Sequence, residues 1–272
     1  MHYQIHSCTD NAQAEHILLS SGLGGHGAFW KPQLEALQQH FHVLTYDHEG
    51  CHSDAETLPA DYSMRHMAQQ ALGIFKDADI QQFHFIGHAL GGHIGMELAR
   101  LIAESRENLQ MKSLSCINAW NQLDPHTQKC FQARISLLEN SGAEAYVRAQ
   151  ALFLYPPQWI SEHQESLEQA ENAQLTNFPP AHNVLMRLQA LQQFSVNEQH
   201  AEALTNTQIQ LIANQDDFLV PVHKSSDLKQ RLGHGCLSIL ATGAHASTQT
   251  EPELLNKTML EFLHKHSLQV TS

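Results

Sequence analysis

In FHFIGHALGGHIGMELAR, residues 83–100, a short apolar strand runs through glycines into a helix. Turns of the pattern GxSxG carry a serine nucleophile on a sharp strand-to-helix bend. Here Gly87 and Gly91 keep the pattern, but the nucleophile position holds Ala89. Two further groups could do chemistry. In NQDDFLVP, residues 214–221, Asp217 stands four residues before the proline, where an orienting acid belongs. In TGAHAS, residues 242–247, His245 sits on a short glycine-containing loop, where a base belongs. An acid that orients an imidazole, and an imidazole that moves a proton, are the parts of general acid–base catalysis. In SSGLGGHGAFW, residues 20–30, the glycines let backbone N–H groups face a cavity, so the amides of Leu23 and Leu90 are the expected oxyanion donors.

Each signal alone has an ordinary explanation. A tight glycine turn also serves simply to pack a helix on a sheet, and a loop carboxylate is ordinarily solvated, which is the reading adopted for Asp216. With 21 histidines in the chain, one near its end could fall there by chance. Order decides between the two explanations. Elbow, acid and histidine each lie just beyond a strand, in the chain order of α/β-hydrolases and of neither unrelated serine-protease arrangement.

The elements that must position these residues are legible as apolar, β-branched runs alternating with helical patterns, the signature of a mainly parallel, doubly wound sheet. The candidate strands are residues 16–21, 41–47, 83–88, 112–118, 209–214 and 236–241. Residues 63–80 repeat apolar positions at three and four, with Ser63 as the N-cap, and read as an amphipathic helix on the sheet. Between Asn118 and Ile209 lie about ninety residues without a strand signal, although a crossover needs only a dozen or so. They contain helical stretches such as HTQKCFQARISLLENSG, AEAYVRAQALFLY and NVLMRLQALQQF. The expectation is an α/β-hydrolase core of residues 1–120 and 206–272, with residues 121–205 as a helical cap over the C-terminal edge of the sheet, where such folds bind ligands.

Composition narrows the partners. A formal net charge of −13 at pH 7 repels phosphate backbones and anionic lipid, which argues against nucleic acid and membrane surfaces and favours a small molecule. No run approaches the ~18 apolar residues of a membrane span, and the first residues lack a basic segment followed by an apolar one. The 5 cysteines show no CxxC spacing, which speaks against a disulfide framework or structural zinc and fits a reducing cytoplasm. The histidines show no ligand spacing either: His88 and His93 are five apart, and the HEG at His48 lacks the second histidine of HExxH, so neither metal nor cofactor is expected. A homodimer is compatible with the sequence.

SGLGGHGAFWKPQL, GHALGGHIGMEL, HTQKCFQARISLL, AQALFLYPPQWI and NVLMRLQAL closely resemble the RutD family of bacterial pyrimidine degradation, and the likeness covers most of the chain. Family members also carry alanine in the elbow, so the resemblance implies that Ala89 is native. It implies a hydrolase that assists the breakdown of a labile intermediate, either 3-aminoacrylate to malonic semialdehyde and ammonia or carbamate to carbon dioxide and ammonia.

Either substrate is an anion, so a cation should hold it; Arg134 and Arg187 of the cap are the candidates, with a surface arginine as the ordinary alternative. His88, His93 and Trp120 are candidates to line the pocket or merely to pack beside it. In this reading His245, oriented by Asp217, activates water at the place a serine oxygen would fill. Two rivals stay open: a serine esterase or C–C hydrolase in which an engineered alanine replaces the nucleophile, and a non-catalytic binding protein of the same fold.

Overall fold

The computed structural model describes residues 2–105 and 108–267. Its sheet has seven strands in the order β1-β3-β2-β4-β5-β6-β7. These are β1 Tyr3–His6, β2 His16–Ser20, β3 His42–Tyr46, β4 Gln82–His88, β5 Gln110–Ile117, β6 Gln208–Asn214 and β7 Cys236–Leu240. Only β1 runs antiparallel, pairing with β3 at the edge; the other neighbours are parallel. The sequence reading missed β1, whose YQIH is half-exposed and carries no apolar run.

Helices α1 Lys31–Gln38, α2 Met64–Asp77 and α3 Leu90–Ser105 fill the first crossovers. Between β5 and β6 come α4 Pro125–Leu154, α5 Pro157–Glu162, α6 Gln164–Thr176, α7 Ala181–Gln193 and α8 Glu198–Ala203. Then follow α9 His223–Leu232, α10 Ser247–Thr250 and α11 Pro252–His266. Ser63 precedes α2, and its backbone N–H donates to the His66 ring at 3.2 Å, which satisfies a donor at the helix start. The long α4 is broken at Gly142, whose φ of 85° no helix contains.

Strand alternation sends side chains to two faces. Ile17 and Leu19 pack with Leu37 of α1 and Leu255, Met259 and Leu263 of α11. Leu18 and Leu44 pack with Met67 and Phe75 of α2, Leu98 of α3 and Leu228 of α9. Each fully buried aliphatic side chain stabilises by about 1.5–3 kcal/mol, so helices are held on both faces. This is the doubly wound α/β-hydrolase architecture. After β2 the chain turns toward α1 on one face, and after β4 it turns toward α3 on the other. The register Ser20 opposite Gly87 brings those two diverging loops level, and a crevice opens where they part.

Candidate active site

At the end of β4, Ala89 holds a left-handed φ of 46°. For a non-glycine residue this costs roughly 1–2 kcal/mol, and its neighbours must allow the bend. An ideal Cβ on Gly91 would lie 2.0 Å from the Ser20 carbonyl oxygen, so only glycine lets α3 start this close to β2. The Ala89 N–H donates to the Ile117 carbonyl at 2.8 Å, which ties the elbow to β5. Leu90 is the first residue of α3, where an N–H has no partner within the helix.

His245 and Asp217, 28 residues apart, meet at 2.8 Å through Nδ1 and Oδ2. Both are buried, at 3% and 5% exposure. The carboxylate can only accept, so Nδ1 is the donor in this bond. The loops that hold the pair are fixed by their own bonds. Asp217 Oδ1 accepts the Val220 N–H at 2.8 Å. Asp216, expected as a solvated carboxylate, instead accepts the N–H groups of Ala244 at 2.8 Å and Gly243 at 3.2 Å, and so anchors the histidine loop. Asn118 Nδ2 donates to the His245 carbonyl at 3.0 Å. Neither Asn118 nor Asp216 carried a motif that would have singled it out.

A cavity of about 610 Å³ is lined by Ala89, Leu90, Leu23, His245, His88 and Trp120, and by Arg134 of α4 and Arg187 of α7. His93 does not line it; its Nε2–H donates to the Trp120 carbonyl at 2.8 Å and its ring packs edge-on against the indole. His88 donates through Nε2 to the His245 carbonyl at 2.7 Å. Burial pushes the His88 imidazole down to about 3 and that of His93 to about 4, so both are neutral at physiological pH.

The two arginines are not surface residues: Arg187 is 2% exposed and Arg134 5%. Among the described residues, their only side-chain hydrogen bonds run from Arg187 Nη2 to His48 Nδ1 at 3.0 Å and from Arg134 Nη2 to the Tyr146 hydroxyl at 3.5 Å. The Nε of each is buried without a partner. Arg134 also lies 5.6 Å from the Phe131 ring centre and 5.9 Å from that of Tyr146. Gly25, at φ +85°, makes room for Arg187: an ideal Cβ there would stand 2.6 Å from Nη2. Burial, reinforced by Arg187, holds the His48 imidazole well below its usual range. With Nδ1 accepting from Arg187, His48 Nε2 carries the proton and faces Ser20 Oγ at 3.3 Å.

Histidine spacing along the chain pointed to no metal, yet the fold gathers His26, Asp47, Cys51 and His52, with one donor atom from each within 4.8 Å of the others. These residues come from the loops after two neighbouring strands, a proximity that no spacing rule within one segment detects.

A glycine-flanked elbow, an acid and a histidine, in that order over the C-terminal ends of a parallel sheet, define an α/β-hydrolase. A family model of the α/β-hydrolase fold accordingly matches residues 15–248. Two relatives named as carbamate hydrolase RutD span nearly the whole chain. The one from Acinetobacter baylyi is 51% identical over 97% of this chain and 98% of its own length. The one from Agrobacterium fabrum is 43% identical with the same coverage, 97% and 98%. Among solved structures, the enol-lactonase of Burkholderia xenovorans superposes with a TM-score of 0.83 at 20% identity, covering 97% of this chain and 96% of that one. The α/β-hydrolase MGS-M2 from a deep-sea metagenome gives 0.84 at 16% identity, covering 100% and 96%; at such identities the likeness is one of fold. The chain belongs to the RutD family of α/β-hydrolases.

Proposed function

We propose that this chain hydrolyses a C–N bond in a small, labile anion of pyrimidine breakdown, a carbamate or 3-aminoacrylate, with water in place of a covalent nucleophile. One observation carries the reading: a buried Asp217–His245 hydrogen bond of 2.8 Å is kept beside an elbow whose nucleophile is absent. The names of the 51% and 43% identical relatives support the substrate class.

His245 Nε2 takes a proton from water as the hydroxyl adds to the electrophilic carbon. The amides of Leu23 and Leu90 meet the oxygen on which charge develops. The imidazolium then returns its proton to the departing nitrogen: a C–O bond forms, the C–N bond breaks and ammonia leaves. For 3-aminoacrylate, protonated His245 first supplies a proton to carbon, which turns the enamine into an iminium ion; water then adds to it with His245 as base, and the new hydroxyl gives up its proton as ammonia departs, which leaves the aldehyde. A triad stripped of its serine retains a rate advantage of roughly 10³–10⁴ over water, about 4–5.5 kcal/mol. That is too little for a stable amide and ample for a compound that already decomposes unaided.

Residues 121–205 act as a cap that supplies the anion site. A buried guanidinium without a carboxylate partner is costly, and an anionic ligand offsets that cost. Arg187 and Arg134 therefore hold the substrate carboxylate, while Trp120 and His88 shape the wall. Loss of the nucleophile favours a binding module as the second reading, but such a module has no use for an oriented imidazole. The test follows carbamate and 3-aminoacrylate decay by NMR with and without the protein. Faster decay of one of them supports hydrolysis; unchanged decay of both alongside tight binding of either would establish the binding module.

A further inference from the structure

We infer that His26, Asp47, Cys51 and His52 form a binding site for one zinc-class divalent transition-metal ion, which ties the glycine loop after β2 to the loop after β3. β2 and β3 are parallel neighbours, so both loops leave the sheet side by side at its C-terminal edge. His26 comes from the first loop; Asp47, Cys51 and His52 come from the second.

The donors are already close. His52 Nε2 lies 3.0 Å from Asp47 Oδ2, and Cys51 Sγ lies 3.7 Å from His26 Nδ1. All four donor atoms fall within 4.8 Å of one another. A tetrahedral zinc ion with bonds of about 2.0–2.3 Å sets its donors about 3.3–3.8 Å apart, so the Cys51–His26 pair already fits, the His52–Asp47 pair must open slightly and the wider pairs must close by roughly 1–1.5 Å at most. Two imidazoles, a thiolate and a carboxylate select zinc or cobalt over magnesium or calcium, which take oxygen ligands. Binding replaces the Cys51 S–H bond by a metal–sulfur bond and releases the thiol proton to solvent. Thiolate and carboxylate together then neutralise the ion.

The groups behind the donors are in place. Asp47 Oδ1 accepts the Gly27 N–H at 2.7 Å, and Gln70 Nε2 holds the Asp47 carbonyl at 2.9 Å. The His48 N–H donates to the Gly25 carbonyl at 2.8 Å, so the loops are stitched on either side of the cluster. His26 also lines the cavity. Within the same turn, His48 receives the Arg187 N–H. An ion held here fixes one wall of the cavity and His48, the residue that accepts from the buried guanidinium of Arg187, whatever reaction occurs at Ala89.

The experiment titrates the full chain, stripped with a chelator, with Zn²⁺ and in parallel with Co²⁺. Because 21 histidines offer weak sites elsewhere, the deciding signal is the near-ultraviolet thiolate-to-cobalt charge-transfer band. One equivalent of tight binding with that band is expected. Cys51→Ser should abolish the band, and His52→Ala should weaken binding at least about tenfold. His52 is 39% exposed, so its replacement leaves the core intact and circular dichroism unchanged. Binding without a thiolate band, binding unaltered in both variants, or no stoichiometric binding at micromolar metal would each overturn the assignment.

Discussion

The ring of His88 donates from Nε2 to the main-chain carbonyl of His245 at 2.7 Å, so the residue just before Ala89 fixes the backbone that carries the His245 imidazole. Asn118, beyond the end of β5, reaches the same carbonyl at 3.0 Å. The histidine loop is thus held from two strands, while its side chain is aimed by a third through Asp217.

His245→Ala should lower the native rate by about 10²–10⁴, the usual share of a positioned general base. Asp217→Asn should cost a comparable factor, because the amide no longer forces the proton onto Nδ1. Decay of carbamate and of 3-aminoacrylate under identical conditions measures both. An unchanged rate in His245→Ala would remove the base from the mechanism.

Ala89→Ser tests the water route. The new hydroxyl occupies the space of the attacking water, so native activity should stay level or fall. Weak hydrolysis of an activated ester should appear at the same time, since acid, base and oxyanion amides are then all present. A large gain on the native substrate would point to covalent catalysis instead.

Arg187→Met separates binding from stability. A buried guanidinium without a carboxylate is a cost to the fold, and well-packed apolar replacements of buried charges are often neutral or stabilising. The melting temperature should therefore hold or rise. The KM for the anion should increase roughly 10- to 150-fold, the equivalent of a charge-assisted hydrogen bond of about 1.5–3 kcal/mol. Calorimetry and steady-state kinetics on one preparation give both numbers.

Stability should begin to fall with acid well above the carboxylate range. Unfolded imidazoles take up protons below about 6.5, whereas buried His88 and His93 resist until about 3 and 4. Below 6.5 the unfolded chain therefore binds more protons than the folded one, and each such group lowers stability by about 1.4 kcal/mol per pH unit until its folded value is reached. A second loss follows lower down. Burial alone would raise the Glu97 carboxyl, but hydrogen bonds from His200 and Arg100 outweigh it and hold the group down to about 2. Its contribution is present above about 4.5 and fades as pH drops toward 2. Denaturant midpoints from pH 7 to 3 should show the first slope, reduced by one proton in His93→Gln. A flat profile between pH 6.5 and 5 would contradict it.

The inner parallel strands were readable because strands buried on both faces leave apolar runs, as in His16–Ser20 and Gln208–Asn214, whereas β7, at the far edge and only partly buried, was readable from Leu237, Ile239 and Leu240. Edge strand β1, exposed on one side, leaves no such run. Asp217 and His245 were found because their motifs are local: a carboxylate before Val-Pro and a histidine after glycine. Asp216 and Asn118 act through single backbone contacts that any loop residue could make, and no motif marks them. Arg134 and Arg187 could be named as cations, but their burial depends on how α4 and α7 lie over the sheet. The gathering of His26 with Asp47, Cys51 and His52 likewise depends on pairing between two strands, which sequence spacing does not encode.

The placement of α4 through α8 between β5 and β6 has a consequence for how the molecule is made. Synthesis runs from the N-terminus at roughly 5–20 residues per second, so β5 leaves the ribosome well before the strand that covers its free side. Through that interval the nascent sheet ends in an open parallel edge, the kind of surface that recruits foreign strands. Asp217 and His245 also arrive last, on loops beyond β6 and β7. A nascent chain therefore builds its elbow and its arginine-bearing helices before it carries either Asp217 or His245.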